Sequence, residues 1–210
     1  ENKIVSIPTG IDESIYNPES FNRDECRKKY TINDSEIAIG ILAVLRQFTR
    51  HDLFLKMAKS LIKKYPGKRL VFIIDGNGPQ KENIEKIVND LNLAENVKMV
   101  GHINNVPEFL CAIDILVLSS DSKEGVPQSV MQGLFMNKPV VSSDSGSTRD
   151  LFNHNNFQLI QNGSIEALIN GVSIYLDNIN EVSTRKYMME NFSSSVMVKK
   201  IMTSYEKILE

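Results

Sequence analysis

The sequence predicts an α/β fold: a doubly wound parallel sheet of about six strands, covered by helices and followed by a helical C-terminal segment. Three observations predict it. Short runs rich in Ile, Val and Leu recur along the chain, segments of helical period separate them, and the last fifty residues keep a helical period throughout.

The apolar runs are EIAIGILAVL (36–45), RLVFIID (69–75), VKMVG (97–101), DILVLSS (114–120), PVVSSD (139–144) and FQLI (157–160). Each reads as a strand buried on both faces, the mark of a parallel sheet. Between the first two, HDLFLKMAKSLIKKY sets Leu53, Phe54, Met57, Ala58, Leu61 and Ile62 on one helical face. PQKENIEKIVNDLNL does the same with Ile84, Ile87, Val88 and Leu91, and shorter helices are expected over VPEFLCAI and PQSVMQGLFM. Three helices are expected after 162: SIEALINGVSIYLDNI, EVSTRKYMMEN and SSVMVKKIMTSYEKILE. Alternation of strand and helix from 36 to 160 implies right-handed βαβ units.

With 210 residues, 41% of them hydrophobic, the chain is long enough for one sizeable core, so one domain over 1–210 is expected. A net charge of −2 and the lack of a basic stripe with aromatics argue against nucleic acid as a partner. The basic clusters RKKY and KKYPGKR read as solvated helix ends. Cys26 and Cys111 match no metal-ligand spacing and only three histidines are present, so no metal and no cofactor is expected. Reduced cysteines and the lack of a signal or spanning segment suit a cytoplasmic protein. The chain opens on ENKIVSIPTGID, without Met and in strand-like alternation, as expected of a piece of a longer protein.

In such sheets ligands bind outside the carboxyl ends of the strands. After the second strand, DGNGPQ sets Gly76 and Gly78 about Asn77, with Pro79 expected at the first helical position. The pattern suits either a tight turn or an anion at a helix start. Lys81 stands where a dinucleotide fingerprint needs a third glycine, which disfavours nicotinamide or flavin. After the first strand, Arg46 and Arg50 are either solvated or suited to a diphosphate, which a guanidinium can grip by two oxygens. After the fourth strand, Glu124, Gly125 and Val126 precede Pro127, expected to open a helix whose Gln128 and Gln132 share a face. Glu124 there either complements the helix dipole or, with the free amides, forms a site for polyol hydroxyls.

EGVPQSVMQGLFMNKPVVSSDSGSTRDL resembles the donor-site signature of the retaining glycosyltransferases of group 1 (family 4), E-G-[FVS]-P-x4-E-A-x3-G-x-P-V-V-x-[ST]-x-x-G-G. VSIPTGIDESIYNP is similar to that family's I-P-N-G-V-D-x3-F-x-P linker, VFIIDGNGP to its G-D-G-P turn, and ENVKMVGHINNVPEFLCAIDILVLSS to its third and fourth strands. The resemblance implies the Rossmann-like C-terminal half of a GT-B fold, which binds a nucleoside diphosphate sugar. Carried over, Glu124 bonds sugar hydroxyls, and Gln132 stands at the ribose position, where the family has Glu. The amides of Gly125, Val126 and Gln128 face sugar and phosphate, and the loop at Gly101, His102 and Ile103 contacts the base through backbone. The family's diphosphate clamp is Arg and Lys. An L-R-x-W-K-G-H variant of it aligns Arg46 with the cation and Thr49 with the Lys, leaving Arg50 as a substitute charge.

The implied reaction moves a sugar, with retention, to a saccharide or lipid-linked acceptor in polysaccharide or glycolipid synthesis, at or near the inner face of a membrane. Glu124 and Arg46 are its expected catalytic residues, and the acceptor site is expected in a preceding domain, so this piece alone should transfer nothing. Three rivals remain: a domain with weakened catalysis, an epimerase of the same fold, and a phosphoacceptor receiver. The epimerase would carry added acid and base groups, and the receiver an acidic pair after its first strand, where this chain has arginines.

Overall fold

The computed structural model describes residues 4–121, 125–153, 157–178 and 182–209. Its sheet comprises β1 (Glu36–Leu42), β2 (Arg69–Asp75), β3 (Val97–Gly101), β4 (Ile115–Leu118), β5 (Val140–Ser143) and β6 (Gln158–Ile160). All pairings are parallel, in the order β3-β2-β1-β4-β5-β6. The order reverses between β1 and β4, and at that point the loops leaving neighbouring strands diverge to opposite faces and open a crevice.

Eight helices accompany the sheet among the described residues: α1 (Arg23–Lys29), α2 (His51–Lys64), α3 (Lys81–Asp90), α4 (Val106–Ala112), α5 (Gln128–Phe135), α6 (Ile165–Asp177), α7 (Arg185–Phe192) and α8 (Ser194–Leu209). Strand alternation sorts the core into two layers. Val71 and Ile73 of β2 join Cys26, Phe109, Leu134 and Met188, from α1, α4, α5 and α7. Leu70, Phe72 and Ile74 join Phe54, Ile84 and Leu168, from α2, α3 and α6. The six expected strands and the seven expected helices are all present, with ends moved by a few residues.

Four expectations need correction. Helix α1 is absent from the expected helices, although RKKY is rightly read as a helix end: Asn22 caps it through the N–H groups of Asp24 and Glu25, and three basic residues close its last turn. Within that cluster Arg27 is 1% exposed rather than solvated, donating to the carbonyls of Ala112 (3.2 Å), Asn33 (2.6 Å) and Glu36 (2.7 Å). The chain start forms no strand from Ile4 onward: its one ladder contact is a parallel bridge from Ile11 to Ser193. Pro79 and Pro127 do not open helices either: α3 begins at Lys81 and α5 at Gln128, with Pro127 as N-cap in an extended conformation.

Candidate functional site

The strand order places the loops after β1, β2, β3 and β4 around one cavity of about 690 Å³. Its walls include Arg46 and Phe48 from the first loop, Asp75, Gly76 and Asn77 from the second, His102, Ile103 and Val106 from the third, and Val126, Pro127, Gln128 and Gln132 around α5. Thus Arg46, Gly76, Asn77, His102, Ile103, Val126, Pro127, Gln128 and Gln132, separated by up to 86 positions in sequence, come to one place.

Not every expected residue joins them. Glu124 lies outside the described residues, which stop at Asp121 and resume at Gly125. The two sides of that gap are fixed: Asp121 N–H donates to the Phe48 carbonyl at 2.8 Å, and the Gly125 carbonyl accepts from Ser147 at 3.1 Å. Gly125 and Gly78 stand outside the cavity wall. Arg50 also points elsewhere: its guanidinium forms two hydrogen bonds to Asp52, at 2.9 and 3.1 Å, and it lines a neighbouring, more polar cavity of about 630 Å³.

The glycine turn owes its composition first to the protein itself. At φ 146° and 156°, Gly76 and Gly78 occupy backbone that L side chains rarely adopt. A Cβ on Gly76 would meet the Ala43 carbonyl oxygen at 2.0 Å, and one on Gly78 the Leu45 oxygen at 2.7 Å. The β1 and β2 loops are stitched there by Leu45 N–H to the Asn77 carbonyl (3.1 Å) and Gln80 N–H to the Leu45 carbonyl (2.9 Å). Close approach of the two loops by itself requires glycine at both positions.

Arg46 is exposed, makes no ion pair among the described residues, and lies over the Phe48 ring at 5.8 Å. Thr49, the position aligned with Lys, is buried, and its Oγ1 lies 2.9 Å from the Val44 carbonyl, 2.7 Å from that of Arg46 and 3.0 Å from His51 Nδ1. Its hydroxyl fixes the loop that carries Arg46 and supplies no charge. His51 opens α2, 2% exposed, and burial lowers its pKa to about 4 against the smaller opposing pull of Asp52, so its ring stays neutral. On the opposite wall α5 starts with no side-chain cap, leaving N–H groups and the positive end of its dipole beside the cavity.

Asp75 is the residue that the sequence reading passed over. It ends β2 at 1% exposure on the cavity floor, where burial raises its carboxyl pKa to about 6, opposed by the Ile103 N–H and the nearby His102. An acidic residue closing an otherwise apolar strand, RLVFIID, was the available signal.

The family model for glycosyl transferases group 1 matches residues 22–193. The chain belongs to that family. A glycosyltransferase from Rickettsia africae ESF-5 superposes with a TM-score of 0.91 at 18% identity, covering 100% of this chain and 58% of that one. Anabaena Alr3699/HepE, solved with UDP and glucose, gives 0.85 at 16% identity, covering 96% and 56%. The architecture is therefore that of a GT-B glycosyltransferase domain. By sequence, the uncharacterized glycosyltransferase MJ1059 of Methanocaldococcus jannaschii is 30% identical over 146 residues, 69% of this chain and 34% of that protein. The chain thus matches about a third of that relative and somewhat over half of each solved chain. No helix among the described residues is long and apolar enough to cross a membrane.

Proposed function

We propose that residues 1–210 form the nucleotide-sugar-binding half of a glycosyltransferase. The donor is a nucleoside diphosphate sugar, and the acceptor, a saccharide or lipid-linked sugar, binds a preceding domain. The observation that carries this reading is the cavity at the β1/β4 crossover, where Arg46 and the uncapped start of α5 flank one space. The complex of Anabaena Alr3699/HepE with UDP and glucose supports a nucleotide sugar as the ligand class.

The chemistry follows from charge. As the glycosidic bond lengthens, the sugar becomes oxocarbenium-like and negative charge builds on the departing diphosphate. A guanidinium and helix N–H groups bind that state more strongly than the intact donor, and this difference lowers the barrier. In this reading Arg46 and the amides of Val126 and Gln128 hold the diphosphate, Gln132 bonds the ribose, and Glu124 orients the sugar. His102 and Ile103 flank the base, while Gly76 and Asn77, held in place by the turn at Gly78, set the wall between base and phosphate. Transfer with retention, a place in polysaccharide or glycolipid synthesis, a cytoplasmic setting and contact with a membrane surface belong to the same proposal for the longer protein.

Calorimetric titration of nucleoside diphosphates into this chain tests binding, and transfer by the longer protein tests catalysis. Arg46→Met should weaken diphosphate binding at least about tenfold, the worth of one charge-assisted contact. Glu124→Gln should leave nucleoside diphosphate binding intact and abolish transfer. Binding unaltered in the first, or transfer unaltered in the second, sinks the assignment. One observation favours a second reading, a domain that binds donor but transfers weakly: the buried Thr49 leaves the clamp with one cation. Nucleotide binding without transfer by the longer protein would select it.

A further inference from the structure

We infer that Asp75 selects the nucleobase, admitting diphosphates whose base carries a ring N–H, uracil or guanine, and discriminating against cytosine and adenine. The inference rests on the nucleotide-binding reading above and deepens it.

The strand pattern fixes where Asp75 points. Along β2 the side chains alternate, Val71 and Ile73 facing the layer of α4 and α5 and Leu70, Phe72 and Ile74 the layer of α2 and α3. Asp75 takes the first of these faces, where the next groups are Leu42, Ile103 and Val106 on the cavity wall. Its main chain is held on both sides: its carbonyl accepts from Ala43 at 3.2 Å, and the next N–H, of Gly76, donates to the Gly101 carbonyl at 2.9 Å. The carboxyl group is thereby anchored at the bottom of the cavity by a strand that cannot turn away.

Its two oxygens have different fates. Oδ1 accepts the backbone N–H of Ile103 at 3.1 Å. Oδ2 has no hydrogen-bond partner among the described residues, and it is not one of the polar atoms sealed away from solvent. Since the residue is 1% exposed and lines the cavity, that remnant of surface opens into the cavity. Burial of the carboxyl group disfavours its charge, and a strand-end position against Ile103 and Val106 would pack better with an apolar residue.

A ligand N–H would complete it. Asp75 is tied to the β3–α4 loop through Ile103, and the reading above sets that loop against the base and gives the diphosphate to Arg46 and the start of α5, so the free oxygen of Asp75 falls to the base. Uracil N3 and guanine N1 carry a hydrogen and donate, whereas cytosine N3 and adenine N1 present a lone pair to the same oxygen. To use its exocyclic amine instead, cytosine must slide by one ring position against Ile103 and Val106. Anchoring of the β3–α4 loop through Ile103 is the simpler role for Asp75, and it is separable: an Asn side chain keeps an acceptor for Ile103 while offering the cavity an N–H donor.

Calorimetric titration of UDP, CDP and N3-methyl-UDP into the wild-type chain and Asp75→Asn at pH 7.5 decides it. Wild type should bind UDP at least about tenfold more tightly than CDP or N3-methyl-UDP, and in Asp75→Asn the UDP to CDP ratio should fall below about three. If wild type binds N3-methyl-UDP as well as UDP, or if the variant keeps the wild-type ratio, the inference is overturned while nucleotide binding stands. If wild type binds none of the three, nor GDP, the nucleotide reading falls and the inference with it. The N3-methyl probe needs only wild type, so a variant that misfolds leaves the question answerable.

Discussion

Arg27 Nη1 lies 3.2 Å from Asp114 Oδ2 beneath the sheet, joining α1 to the residue just before β4. Asp114 also receives the Ala38 N–H at 2.8 Å and a hydrogen bond from Arg23, so its carboxylate is not left alone when Arg27 is removed. The carbonyls of Ala112 and Glu36 lose the hydrogen bonds from Arg27, and that of Asn33 keeps only the Glu36 N–H. Arg27→Met should therefore cost about 3 kcal/mol or more of stability, whereas Arg23→Ala, with its side chain 47% exposed, should cost about 1 kcal/mol or less. Urea denaturation of the two variants measures the contrast.

Gly76→Ala should be among the most damaging single-methyl additions in the chain. The added Cβ would stand 2.0 Å from the Ala43 oxygen in a conformation alanine rarely adopts. A loss of about 3 kcal/mol or more is expected, with early hydrogen exchange at Leu45 and Gln80, whose N–H groups stitch the two loops. Gly67→Ala meets nothing within 4 Å and should change stability by about 0.5 kcal/mol or less.

Asp75 and His51 give the stability profile two opposing slopes. The Asp75 carboxyl has a folded pKa of about 6, above its ordinary 3.8, so the native state holds more protons in that window. Its stabilising contribution is complete below pH 3.8 and is lost as pH rises through 6. His51 is depressed from 6.5 to about 4; its contribution is complete above pH 6.5 and is lost as pH falls through 4. Asp75→Asn removes one slope and exposes the other: the variant should match wild type near pH 4 and exceed it by up to about 2 kcal/mol above pH 6.5. His102 and Tyr30, the titratable groups beside Asp75, are unchanged in that comparison. Denaturant midpoints from pH 4 to 8 supply the curve.

Gln132→Glu should strengthen nucleoside diphosphate binding by up to about tenfold, because a carboxylate accepts from a ribose diol more strongly than an amide oxygen. Gln132 is partly exposed on the cavity wall, so the added charge keeps access to water and need not be buried. Equal affinity in calorimetry would remove Gln132 from the ligand.

The six strands were legible as short apolar runs, four of them largely buried while β3 and β6 at the sheet edges are only partly covered, and α2, α3 and α6 because their apolar stripes face one layer. Of helix α1 only the basic end was read, because its buried face is made by Cys26 and by the long side chain of Arg27, which no count of apolar residues registers. Asn22, the acidic residues after it and the basic last turn were legible capping signals. At the site, motif spacing located Arg46, Asn77, Ile103, Gln128 and Gln132 around one cavity, since each follows a strand end. Arg50 was beyond such reading: only its left-handed backbone (φ 52°) and its pairing with Asp52 turn it aside. Asp75 was hidden because strand alternation alone does not reveal which face borders a cavity.

The parallel bridge at Ile11 has a mechanical consequence. Ile11 donates to the Phe192 carbonyl at 3.0 Å and accepts from Ser194 at 2.8 Å, and Arg185 grips the carbonyls of Glu13 and Tyr16. The leading segment is thereby riveted to the junction of α7 and α8, and Arg185 also donates to the Phe135 carbonyl at the end of α5 (3.0 Å). The leading segment is therefore coupled, through the one side chain of Arg185, to the helix whose first turn borders the cavity.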